Sequence, residues 1–246
     1  MTKPDYGMLA VLVVLGGFIW LQDLGWLDAA GDTLPILTGL PLFAWLNRPW
    51  RLRSGGGWCE PRAALLAGIL FPAGALLGST LVLGASWTAL LWSWLSARTE
   101  PRPQAAKLLV LPLLSFPWLA TDFERIGWWF RLSGAAATER VLTWCQFDVS
   151  RQGTLLSVAG FTVSVEPACS GVNGLQAMLI AGTVLAYLKL RTSRLFWGSL
   201  PLLILAAWAA NVVRITVSAL TGIGLNAEAA VQQVQRWHWA TGWLAL

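Results

Sequence analysis

Charge is scarce in this chain. Only 12% of its 246 residues are Asp, Glu, Lys or Arg, about half the share found in a typical soluble domain. Histidine occurs once, at His238. Cysteine occurs three times, at Cys59, Cys145 and Cys169. Their spacing matches no metal-ligand pattern, and an odd count excludes a disulfide framework closed on itself. Internal repeats and low-complexity tracts are absent. The excess of basic residues gives a net charge of +5. Most of them fall in short loops between apolar runs, so they report topology rather than a nucleic-acid-binding face.

Apolar residues fill the space that charge leaves. They make up 56% of the chain, with 17 tryptophans among the aromatics. A soluble core of this size cannot hide so much apolar surface, but a bilayer can. Tryptophan favours the membrane–water boundary, where its ring is half wet and half dry. Roughly 20 apolar residues cross the hydrocarbon. On that rule, spans are expected near 8–22, 33–47, 63–83, 85–97, 105–121, 170–188, 195–220 and 227–246. The second and fourth are short. Gly84 is expected to turn the chain between the third and the fourth. The first run, Met8–Leu21, reads as a span rather than a cleaved leader, because further runs follow it.

Basic residues set the orientation. Lys3, Arg48, Arg51, Arg53, Arg62, Arg98, Arg102, Lys107, Lys189, Arg191 and Arg194 fall on one side when the amino terminus is cytoplasmic. Asp23, Asp28, Asp32, Asp122, Glu124, Glu139, Asp148, Glu166 and Glu228 fall on the other. The expected fold is an all-α polytopic membrane protein of about eight spans, built as one integral domain over residues 1–246. It consists of amino-terminal spans (1–121), an extracytoplasmic cap (122–169) and carboxy-terminal helices (170–246). Within the cap, Trp128, Trp129 and Phe130 suggest a segment resting in the interface. Thr154–Val158 and Phe161–Val165 alternate around Ala159-Gly160 and read as a short β-hairpin.

Polar residues recur at helical spacing in the last three spans. Cys169, Asn173 and Gln176 form one stripe; Asn211, Arg214 and Ser218 form another; Gln235, His238, Thr241 and Gly242 form a third. An arginine within the membrane costs several kcal/mol unless it faces a polar cavity, which marks Arg214 as a functional candidate. Arg214 lies about 19 residues past Leu195, roughly 28 Å up a helix that starts inside. Cys169 opens the sixth span from the outer side, and His238 enters the eighth just below the same side. All three are therefore expected at one depth. A helix amino terminus and a nearby cation both lower a thiol pKa. Cys169 has the first, with Ser170 a candidate cap, and Arg214 can supply the second. His238 can move a proton to a leaving amine, and Arg214 can hold an oxyanion. Nucleophile, base and oxyanion stabiliser suffice for acyl transfer without metal or cofactor.

Each residue alone has a plainer reading. Cys169 would be an apolar filler, and Arg214 would snorkel to the interface. His238 would anchor the interface between Trp237 and Trp239. Glu166 would be a solvated charge, and Asn173 and Gln176 would bond neighbouring helices. Cys59 reads as inert and Cys145 as filler. What raises the sharper reading is the shared depth.

Cys169-Ser170-Gly171-Val172, Asn211-Val212-Val213-Arg214-Ile215, and His238 followed four residues later by Gly242 resemble the signature blocks of the exosortase/archaeosortase family. Arg151-Gln152-Gly153-Thr154-Leu155-Leu156 is similar to the segment that precedes the family's cysteine. The resemblance covers about residues 145–246; the earlier spans share only hydropathy. It implies a membrane cysteine protease/transpeptidase with sortase-like chemistry on an unrelated fold. Its substrates would be exported proteins ending in a short motif, a transmembrane helix and a basic cluster, cut at the outer face of a cell inner membrane. Cys169 would be the nucleophile, Arg214 the oxyanion stabiliser and His238 the acid/base, with Glu166, Ser170, Asn173 and Asn211 supporting them. The chain ends at Leu246 without an inner basic anchor, which departs from the pattern in the last span. Two alternatives stay open: an intramembrane protease that releases its product to water, and a transporter or channel lined by Arg214 and His238. A transporter needs a polar path to the inner face, whereas Leu200–Ala207 is apolar.

Overall fold

The computed structural model describes residues 6–22, 24, 30–48, 59–99, 105–122, 124–158, 161–164, 172–190 and 192–222. Its helices are α1 (Tyr6–Leu21), α2 (Ala30–Leu46), α3 (Pro61–Leu77) and α4 (Thr80–Arg98). A 3-10 turn (Ala105–Leu109), α5 (Val110–Leu114), α6 (Trp118–Thr121) and α7 (Glu124–Trp144) follow. Strands β1 (Val149–Gln152), β2 (Leu155–Val158) and β3 (Phe161–Ser164) precede α8 (Val172–Lys189) and α9 (Ser193–Gly222). Thr80–Arg98 and Ser193–Thr221 are long and apolar enough to cross a membrane; the other apolar helices are shorter. The eighth expected span, 227–246, lies outside the described residues.

The chain divides into two compact units. One is Met1–Asp122 with Thr183–Phe196; the other is Phe123–Gly182 with Trp197–Leu246. In the first, α3 and α4 form an antiparallel pair. The turn expected at Gly84 falls six residues earlier. Gly78 takes φ 60° and closes α3, a left-handed conformation that costs glycine nothing. Ser79 then caps α4, its Oγ accepting from Val82 N–H at 3.3 Å. Gly84 lies inside α4, where a Cβ would come 3.1 Å from the Phe116 ring.

Asp122 completes the α4 cap. Its carboxylate accepts from Ser79 Oγ (2.6 Å), Thr80 N–H (2.9 Å), Leu81 N–H (2.7 Å) and Thr121 Oγ1 (3.0 Å). Partial burial pushes its pKa up, but these hydrogen bonds outweigh burial and hold the carboxyl below its usual value. Elsewhere in this unit the Trp87 indole donates to Leu12 O at 2.7 Å, joining α1 to α4. Its ring meets Phe116 edge-on at 5.2 Å. The fifth expected span is broken into three short helical pieces. Pro112 and Pro117 lack the N–H that an unbroken ladder needs.

The second unit differs from expectation in two places. The predicted hairpin is a three-stranded antiparallel meander, ordered β1-β2-β3. Gln152 pairs with Leu155 across Gly153, which takes φ 62°, and Val158 pairs with Phe161. The added strand, Val-Ser-Arg-Gln, is too polar to announce itself. The segment before the sheet, read as resting in the interface, is the 21-residue helix α7. Its sequence includes Glu124, Arg125, Arg131, Glu139 and Arg140, which conceal it from a search for apolar runs.

Helix α7 packs along α9. Trp208 Nε1 donates to Ser133 Oγ at 3.0 Å. A Cβ on Gly134 would come 3.1 Å from Ile215 Cδ1 and 3.6 Å from Asn211 Nδ2. Thr138 Oγ1 reaches Val212 O at 3.5 Å, and Leu142 is buried with Ala219. The partners climb both helices in the same direction, so the packed stretches run parallel. The run Ser133-Gly134-Ala135-Ala136-Ala137-Thr138 lets the backbones approach, as small residues do between helices in lipid. The sheet closes over the same seam. Leu156 is buried with Ala135 and Ile215, Val158 with Leu142 and Ala219, and Val149 packs on both clusters. Arg151 Nε donates to Glu139 Oε2 at 2.7 Å, fastening β1 to α7.

Candidate functional site

Asn211 and Arg214 lie one turn apart on α9. Asn211 is 4% exposed and its amide lies over Gly134, so it is held in the α7–α9 seam. Val212, Ile215 and Ser218 are buried on the same side of the helix, while Val213 (60% exposed) and Leu220 face outward. Arg214 stands between these faces and is half-buried, with its Nε fully enclosed. A guanidinium so placed is shielded by protein rather than dissolved in lipid, the condition an intramembrane cation requires. Gln176, from the stripe begun by Cys169, is buried in α8. Asn173 belongs to the first turn of α8. That helix starts at Val172, three residues after Cys169. Glu166, Cys169, Ser170 and His238 lie outside the described residues.

What the structure brings together is therefore the Asn211–Arg214 turn of α9, the small-residue face of α7 and strand β2. The residues of α7 were not among the sequence-derived candidates. The run of small residues at 133–138 was their one visible signal, because such a run marks close helix approach. Arg214 is half-buried with its Nε enclosed, next to buried Ile215 and exposed Val213. A fixed cation beside a partly dry wall favours a developing negative charge more strongly than bulk water does.

A family model for the transmembrane exosortase matches residues 2–246. The chain belongs to that family. The match extends through the amino-terminal spans, which the signature blocks alone did not reach. Membership makes the protein a membrane protein of transpeptidase or protease type, in general terms a cysteine enzyme that acts on protein substrates carrying sorting signals. No curated protein and no solved structure matches the chain.

Proposed function

We propose that this exosortase cleaves the carboxy-terminal sorting signals of exported proteins at the outer face of the membrane and passes the acyl group to an acceptor. Its substrates would end in a short motif, a transmembrane helix and a basic cluster. The observation that carries this reading is Arg214, a half-enclosed cation beside buried Asn211 on a membrane-length helix. The Cys169 thiolate attacks the scissile carbonyl carbon, and Arg214 holds the oxyanion that forms. His238 gives its proton to the departing amine, leaving a thioester on Cys169. An acceptor amine, or water, then attacks the thioester and restores the thiol. Asn211 sets the rotation of the Arg214 turn through its seat on Gly134. Glu166, Ser170 and Asn173 surround the nucleophile in sequence and support it. This reading keeps one integral domain of about eight spans, amino terminus inside, with 170–246 bearing the catalytic groups. The outer cap expected over 122–169 narrows to the residues beyond α7, because α7 packs parallel to the rising α9 and so begins below the outer face.

Co-expression with a reporter carrying such a tail tests it, with processing read by gel shift and adducts by mass spectrometry. Cys169→Ser should lower processing by orders of magnitude, since serine is a far weaker nucleophile at neutral pH without a strong base. His238→Ala should also lower processing, because the departing amine then lacks its proton donor. Arg214→Lys should not restore activity, because an ammonium lacks the planar fork of donors. Full processing by Cys169→Ser would rule out covalent catalysis by that residue.

A further inference from the structure

The meander ends five residues before Cys169, and it ends on an edge. β3 pairs with β2 on one side; among the described residues no further strand pairs with its other side. Val158 and Phe161 are paired with two residues between them, which makes theirs the hydrogen-bonded pair of a two-residue hairpin. Alternation then turns the N–H and C=O of Phe161 and Val163 toward β2. Those of Thr162 and Ser164 turn toward the open side. Thr162 fits this register: its Oγ1 reaches Ser157 Oγ across the ladder at 3.5 Å, as expected where opposite residues are not hydrogen-bonded and their side chains sit closer.

Two observations join this edge to the reaction centre. Chain length is one: at full extension the five residues from Ser164 to Cys169 span at most about 18 Å. The other is where the sheet docks. Leu156 and Val158 of β2 bury themselves against Ile215 and Ala219, the residues of α9 that follow Arg214 by one and five positions. β3 lies one strand spacing beyond, about 4.8 Å. The open edge is thus within reach of the candidate nucleophile and beside the strand that touches the Arg214 turn.

We propose that the substrate's sorting motif binds as a fourth strand on the open edge of β3, and that this pairing delivers the scissile bond to Cys169. The inference deepens the proposed function and rests on its assignment of Cys169 and Arg214. The occupant is an extended peptide segment immediately preceding an apolar helix. The outward N–H and C=O groups of Thr162 and Ser164 supply backbone hydrogen bonds to it, enough for a motif of a few residues. Strand addition draws affinity from main-chain bonds and specificity from every second side chain. It also occupies outward groups that no other strand among the described residues pairs with.

Thr162→Pro tests the pairing. Proline removes one outward donor and leaves the β2 ladder intact, because an edge strand tolerates it where the N–H faces away from the sheet. At limiting tail reporter, processing should fall about tenfold, while the melting temperature in detergent stays at the wild-type value. Wild-type processing by the folded variant overturns the proposal. Should Thr162→Pro not fold, disulfide mapping decides. Thr162→Cys is placed in a Cys59→Ala, Cys145→Ala, Cys169→Ser chain and paired with single cysteines along the reporter segment that precedes its apolar helix. Crosslinks at every second position support a strand; none, or equal crosslinks at successive positions, overturn it. Cys169→Ser run alongside separates the two readings. If it is inactive while Thr162→Pro is fully active, the edge is wrong and the nucleophile stands. If Cys169→Ser processes normally, the nucleophile fails and the docking proposal falls with it.

Discussion

Asp122 shows how much one carboxylate can organise. Its four hydrogen bonds gather the amino terminus of α4 and the end of α6 around a single negative charge, where the helix dipole favours it. Because its pKa is lowered in the fold, its stabilisation is complete above the ordinary carboxylate range. It is lost as the pH falls through the lowered value. Asp122→Asn should therefore melt earlier than wild type at neutral pH by the equivalent of about 1 kcal/mol, the size of a lost helix cap. The two melting curves should converge as the pH falls below the ordinary carboxylate value and through the lowered one. A gap that persists in acid would mean that packing, not charge, is what the substitution removes. Single residues also mark where sequence reading works and where it slips. The partial enclosure of Arg214 was legible because a lone cation in an apolar run must be shielded by protein or snorkel. Gly84 misled because a glycine in a long apolar stretch suits either a turn or a close contact with Phe116. The Gly78-Ser79 pair that does turn the chain became decisive only with Asp122 beside it.

Among the elements, α7 was hidden and α9 was plain, for the same physical reason. Hydropathy finds helices that face lipid along most of their length, as α9 does. Helix α7 buries a small-residue face and mixes exposed Arg140 with exposed Trp129, Val141 and Trp144 on the rest. That face makes a sharp prediction. Gly134→Leu must push Ile215 and Asn211 aside, and overpacking of this kind costs about 1–3 kcal/mol. Gly134→Ala should cost less, since the Ile215 methyl it meets is the end of a flexible side chain. Gly198, on the same α9, has open space where a Cβ would stand, with nothing within 4 Å. Gly198→Ala should be neutral or stabilising, as alanine is the better helix former. Thermal melting in detergent checks the order Gly134→Leu, Gly134→Ala, wild type, Gly198→Ala from least to most stable. The same approach governs the sheet. Leu156→Ala removes a fully buried side chain between α7 and α9, costs about 2–5 kcal/mol, and should loosen the meander. Loss of protease resistance in the 145–165 region would report it. The meander was half legible. β2 and β3 alternate, but β1 declares itself only through Val149 and the Arg151–Glu139 pair.

Across the whole molecule, native cysteines offer a test of orientation that needs no introduced probe. Cys59 and Cys145 are both exposed, and the proposed orientation has them on opposite sides of the membrane. A membrane-impermeant maleimide should modify Cys145 in intact cells and Cys59 only after permeabilisation. The reverse order would invert the topology and remove the outer site with it. The orientation itself rests on the basic loops alone, and this labelling is its test. The relation of Cys169 to His238, both outside the described residues, stays an expectation of shared depth, since spacing along separate helices fixes height but not azimuth.

The length of α9 carries one more consequence. Thirty residues make a helix of about 45 Å, against a hydrocarbon layer of about 30 Å. Tilt alone does not absorb the difference, because fitting it would take nearly 50° and membrane helices rarely exceed about 40°. Part of α9 therefore stands clear of the acyl chains. If the surplus lies at its outer end, the turns that protrude are those clothed by α7 and β2. The height of the Arg214 turn is then set by a protein collar, not by the thickness of the lipid. Reconstitution into bilayers of short-chain and long-chain lipids should leave turnover of a tail substrate nearly unchanged, where a helix flush with the membrane would show a steep thickness optimum.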